Sequence, residues 1–131
     1  MPRVTIDVKV SVAGGQSVIA SSGVIASEAI GEIHKDLLAD DSEVSIEIQP
    51  SASGQLHALM LYSTHYGPDL TYVFSDGITD AATPLTLDGP QIYSGGNLVA
   101  IGVNPIQVKF TMASSGQDAT VSIFVARDAT P

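Results

Sequence analysis

The chain has 131 residues and a mass of 13.5 kDa, a length that suits one domain. It is 44% hydrophobic and only 15% charged, so it can bury a core and is not of the disordered class. Fourteen acidic against five basic residues give a net charge of -9, which argues against a nucleic-acid surface or an electrostatic membrane anchor. Cysteine is absent, which excludes disulfides, zinc-thiolate sites and thiol chemistry.

No apolar run approaches the roughly 20 residues that cross a bilayer. Met1-Pro2-Arg3 leads straight into an alternating segment, so no signal peptide is expected. In that segment Val4, Ile6, Val8, Val10 and Val12 alternate with Thr5, Asp7, Lys9 and Ser11. A period of two places the β-branched set on one face and predicts a strand with one side on the core. On that reading Val8→Asp buries an unpaired charge and abolishes folding. Ala13-Gly14-Gly15 supplies the turn. Val18-Ile19 and Val24-Ile25, separated by Ser21-Ser22-Gly23, read as two short strands or one bulged strand. Residues 27–38 carry a competing helical spacing through Ala29, Ile30, Ile33 and Leu37. Extended structure is favoured there, with a helical turn around His34 to Leu38, because Gly31 weakens a helix by about 1 kcal/mol.

Val44, Ile46 and Ile48 alternate up to Pro50, and Ser51 to Gly54 reads as a loop. Leu56 to Tyr62 is apolar almost throughout, as in a strand covered on both faces. Leu59 and Leu61 point to one side, Met60 and Tyr62 to the other, and one core cannot take all four. A loop holds Tyr66 and Gly67-Pro68, Leu70 to Phe74 forms a strand, and Asp76-Gly77 turns. Leu85 and Leu87 start another extended piece, interrupted by Asp88-Gly89-Pro90; Ile92-Tyr93 precedes the turn Ser94-Gly95-Gly96-Asn97, and Leu98 to Val103 reads as a strand. Two alternating strands close the chain, through Val108, Phe110 and Met112, then Val121, Ile123 and Val125. Eight to ten short strands with turns every ~8–12 residues predict an all-β fold over residues 1–131 with little helix, an antiparallel β-sandwich, with a small barrel the alternative that shares this spacing.

Chemistry is harder to find. His34, His57 and His65 share no zinc-ligand spacing, and His57 inside an apolar strand is better explained by packing. Asp36, Asp40, Asp41 and Glu43 form the densest acidic cluster, but their order misses the calcium-loop pattern, so a solvated loop is expected. No serine stands in a G-x-S-x-G elbow. The expectation is a non-enzyme with no catalytic residue, metal or cofactor.

The order of segments carries a resemblance. The alternating strand Val4 to Val12 and its Gly-rich turn come first, then Ala29-Ile30-Gly31-Glu32-Ile33. Val44-Ser45-Ile46-Glu47-Ile48 leads into the apolar strand Leu56 to Tyr62, Pro84-Leu85-Thr86-Leu87 follows, and the closing segment runs from Ala113 to Ile123. Over most of its length this resembles the head decoration, or cement, proteins of tailed bacteriophages, small virion proteins with a jelly-roll-like fold. The resemblance implies a structural protein on the outer capsid surface, assembled in the bacterial cytoplasm. Its partners would be the major capsid protein and further copies of itself, as a homodimer or homotrimer, with neither nucleic acid nor membrane. The alternatives are a tail, baseplate or head-fibre component, or a carbohydrate-binding β module. The expected partner interface comprises Val4, Ile6, Val8, Leu59, Leu61 and Tyr66.

Overall fold

A computed structural model describes residues 3–49, 56–81 and 83–128. The expected loop at Ser51 to Gly54 lies outside the described residues. The strands are β1 (Arg3–Ser11), β2 (Ser17–Ala26), β3 (Ala29–Leu37), β4 (Val44–Glu47), β5 (Leu56–Ser63), β6 (Leu70–Ser75), β7 (Leu85–Thr86), β8 (Gln91–Ser94), β9 (Gln107–Met112) and β10 (Ala119–Arg127).

Eight of them form two antiparallel four-stranded sheets, ordered β3-β10-β5-β8 and β4-β9-β6-β7. The chain changes sheet at every connection from β3 to β10 except β6 to β7. That eight-stranded, two-sheet order is the jelly-roll architecture, the all-β sandwich expected from the strand spacing. Strands β1 and β2 stand apart as a two-stranded antiparallel sheet.

Alternation decides which residues fill the space between the sheets. Val121, Ile123 and Val125 of β10, with Leu59 and Leu61 of β5, face Val108, Phe110 and Met112 of β9 and Leu70, Tyr72 and Phe74 of β6. Tyr72 meets Phe74 edge-on at 5.6 Å between ring centres, and Phe74 meets Tyr93 at 5.4 Å, the edge-to-face geometry that aromatic quadrupoles favour. The Tyr72 and Tyr93 hydroxyls satisfy each other at 2.7 Å, so these rings enter the core without stranding a polar atom.

Three local expectations change. The turn expected around His34 to Leu38 is strand, because β3 pairs with β10 from Ala29 to Leu37 and that ladder outweighs a helical spacing. Leu98 to Val103 is no strand: Gly95–Ile101 form a 3-10 helix. Asn97 starts it, its Oδ1 accepting from the Ser94 N–H at 2.6 Å while its Nδ2 donates to the Ile92 carbonyl at 3.1 Å. Gly102, at φ 85°, ends it in the left-handed conformation that a Cβ resists. Finally, β1 does not lie with one side on the core. Val8 and Val10 are 40% and 54% exposed, so an aspartate at position 8 reaches water and Val8→Asp is expected to leave a folded chain.

Candidate functional site

Ile78 and Val99 are exposed singly, whereas the β1–β2 hairpin gathers several exposed apolar side chains on adjacent positions. It reverses at Gly14, which at φ 71° takes a backbone conformation closed to most residues, with the Gly15 N–H donating to the Val12 carbonyl at 3.0 Å. Pairing runs from Ser11 opposite Ser17 to Arg3 opposite Ala26. The register shifts between Thr5 and Asp7, where Ser22 and Gly23 together oppose Ile6. Gly23, at φ 72°, makes this bulge possible, and the Ser22 Oγ accepts the Ile6 N–H at 3.0 Å. Ser21-Ser22-Gly23 thus marks one bulged strand.

On one face the hairpin carries Val4, Ile6, Val8 and Val10 from β1, with Val18, Ala20 and Ile25 opposite Val10, Val8 and Val4. Cover fades along its length. Val4 and Ile6, near the root, are half-buried over Ala58, Met60 and Phe124 on the outer side of the β3-β10-β5-β8 sheet, across a cavity of about 260 Å³. Toward the tip Val10, Val12 and Val18 are exposed. The opposite face exposes Ile19 and Val24 besides Asp7 and Lys9. A two-stranded hairpin alone in water is marginal at best, and contiguous exposed apolar surface of this kind marks an association site.

The outer face of the same sheet also holds a polar cluster. Phe124 of β10 lies between Glu32 of β3 and Met60 of β5, and Ser122 between His34 and Tyr62. The His34 Nδ1 and Ser122 Oγ are 2.6 Å apart, the His34 Nε2 is 3.3 Å from the Glu32 Oε1, and the Tyr62 hydroxyl donates to that oxygen at 2.7 Å. That hydrogen bond to Glu32 holds the Tyr62 hydroxyl above its usual pKa. Serine, histidine and carboxylate here share the atoms of a nucleophilic triad, which chain order concealed because the three residues join only through strand pairing. The setting does not suit acyl transfer. Ser122 is on a central strand, so its backbone N–H belongs to the sheet ladder and not to an oxyanion hole. The cluster is a cross-strand polar network on an open sheet face.

His57 is half-buried, with its Nε2 2.7 Å from the Asp128 Oδ1. Asp41 spends one carboxylate oxygen on the Leu38 N–H at 2.8 Å. Among the described residues no three His, Asp or Glu side chains converge to hold a metal ion. A hollow of about 540 Å³ between Gln49, Leu56 and the 3-10 helix is lined by no ionisable side chain among the described residues.

The six expected interface residues therefore separate. Val4, Ile6 and Val8 share the apolar face of the hairpin. Tyr66 is exposed on the β5–β6 loop, 41% accessible, its hydroxyl accepting the Ser63 N–H at 3.3 Å. Leu59 and Leu61 are fully buried in the core and offer a partner nothing: the inward side of β5 is the leucine side, and the second cover that its apolar run demanded falls on Met60 and Ala58. Sequence reasoning missed Val18, Ile19 and Val24. The signal was there, since β2 has no charged residue and apolar side chains at both parities.

The fold and this surface define a jelly-roll sandwich bearing an uncovered apolar hairpin. Compared with protein-family models, curated proteins and solved structures, the chain matches none. No helix among the described residues is long and apolar enough to cross a membrane.

Proposed function

We propose that this protein is a structural component of a bacteriophage head, binding the outer surface of the capsid and bridging neighbouring shell subunits without performing a reaction. The observation that carries the reading is the hairpin: a sandwich with its own filled core holds out apolar β-branched side chains that need a partner. The jelly-roll order agrees, being a common architecture of virion domains. So does the charge, because a domain at -9 is repelled by packaged DNA and suits the outer side of the wall. Bridging works by multivalency: modest contacts repeated over a shell hold it against internal pressure.

The test is co-expression with the major capsid protein encoded in the same genome, followed by purification of the shells. The protein should co-sediment at a fixed, saturable ratio and remain accessible to added protease. Recovery only in the soluble fraction, or only on isolated tails, refutes the assignment.

A further inference from the structure

We infer that the β1–β2 hairpin is a self-association element, and that two copies of this chain join through their β1 strands, antiparallel about a twofold axis at Val8. The inference stands apart from the capsid reading but draws on the same hairpin: it gives a second copy as the hairpin's partner, so that a shell would be bridged by the pair.

Three observations support it. First, among the described residues β1 pairs with β2 alone, so its other edge presents unpaired N–H and C=O groups, a template for another strand. Secondly, β1 is complementary to itself in one register. Antiparallel pairing about Val8 sets Val8 against Val8 of the second copy, Ile6 against Val10, and Val4 against Val12. On the other face the same register sets Asp7 against Lys9, and by symmetry Lys9 against Asp7. A twofold at Asp7 or Lys9 opposes like charges, and one at Ile6 opposes Arg3 and Lys9. Only the Val8 register pairs every apolar residue with an apolar one and every β1 charge from 4 to 12 with its opposite. β2 has no charge to set such a register.

Thirdly, the seam runs beside uncovered apolar side chains. Val8, Val10 and Val12, on the strand that would form it, expose roughly 230 Å² if a free valine exposes about 150 Å². That is below the about 800 Å² per partner of a standard interface, so strand backbone and charged pairs carry most of the contact and the dimer should be of modest affinity. The product is a four-stranded sheet β2-β1-β1-β2, past the two-strand limit of marginal stability. Its tips, carrying Val10 and Val18, point toward the half-covered roots of the other copy.

The experiment is sedimentation equilibrium of the full chain, alone and in charge-swapped forms. Wild type should be a monomer–dimer system. Asp7→Lys and Lys9→Asp each place like charges opposite one another and should weaken dimerisation by roughly tenfold or more. An equimolar mixture of the two should recover it as a heterodimer, because both charged pairs are then opposite in sign. Val8→Asp sets two carboxylates on the axis and should leave a monomer with wild-type circular dichroism. Wild type that stays monomeric overturns the inference, as does a trimer, a dimer indifferent to these charges, or a mixture that fails to recover. A hairpin that binds shells from a strictly monomeric chain also overturns it, and assigns the hairpin to the shell.

Discussion

Leu61→Ala tests the placement of the core most sharply. Leu61 is fully buried on β5, paired with Ile123 on one side and Gln91 on the other. The substitution removes three buried carbons, about 2.5 kcal/mol at ~0.8 kcal/mol each, and the cavity left behind raises the loss to about 3–4 kcal/mol. A domain of this size holds roughly 5–15 kcal/mol in total, so the variant should still fold but with little reserve. With a urea slope near 2 kcal/mol/M, its midpoint should fall by about 1.5–2 M at unchanged slope. The control is Val8→Asp, which strand alternation alone marks as the more damaging change. The exposure of Val8 limits its cost to about 1 kcal/mol, or a midpoint shift near 0.5 M. Both are read by circular dichroism at concentrations dilute enough to keep the chain monomeric. If Val8→Asp costs as much as Leu61→Ala, the hairpin is packed and the reasoning fails.

Other expectations follow from single interactions. Burial, then the hydrogen bond to the Tyr93 hydroxyl, holds the Tyr72 hydroxyl far above its ordinary pKa. The protonated phenol therefore supports the fold below about pH 10, and stability falls as pH rises beyond the value at which the unfolded tyrosine ionises. Tyr72→Phe should cost about 1–2 kcal/mol at neutral pH and flatten that alkaline loss in pH-dependent urea titrations; an unchanged alkaline slope refutes it. The Asp76 carboxylate accepts the Thr79 and Ile78 N–H groups at 2.6 and 2.9 Å, which holds its pKa below the usual carboxylate range. Its contribution is present above the unfolded value and disappears as pH falls through the lowered one. Asp76→Ala should thus trail wild type at pH 7 and converge on it in acid, and a constant gap in melting temperature contradicts this. Gly77 has φ 92°, and a Cβ there approaches the Ile106 Cδ1 to 2.8 Å. Gly77→Ala should cost about 1–2 kcal/mol by denaturation, and a neutral result shows that the turn relaxes.

Much of this fold was legible in the chain because period-two alternation names the residues that share a face. It identified β1, β4, β9 and β10 directly. It could not say whether anything covers a face. Val108 and Val8 both alternate with polar neighbours, yet one is in the core and the other on an open hairpin. The difference lies in what packs above them, a long-range property. In β3 the extended reading agrees with the strand, and only the helical turn expected from His34 to Leu38 is overridden by pairing with β10. The 3-10 helix was hidden in an apolar run that mimics a strand, its start depending on one asparagine side chain. At the candidate site β1 was found by its alternation, while the Glu32–His34–Ser122–Tyr62 network needs three paired strands before it exists.

Electron cryomicroscopy of shells purified with and without the protein asks most directly whether it serves as an external brace. Added density is expected on the outer surface at symmetry-related positions, each sized for the sandwich and spanning adjacent shell subunits. Shells identical in the two preparations, or added density lining the inner wall, contradict it.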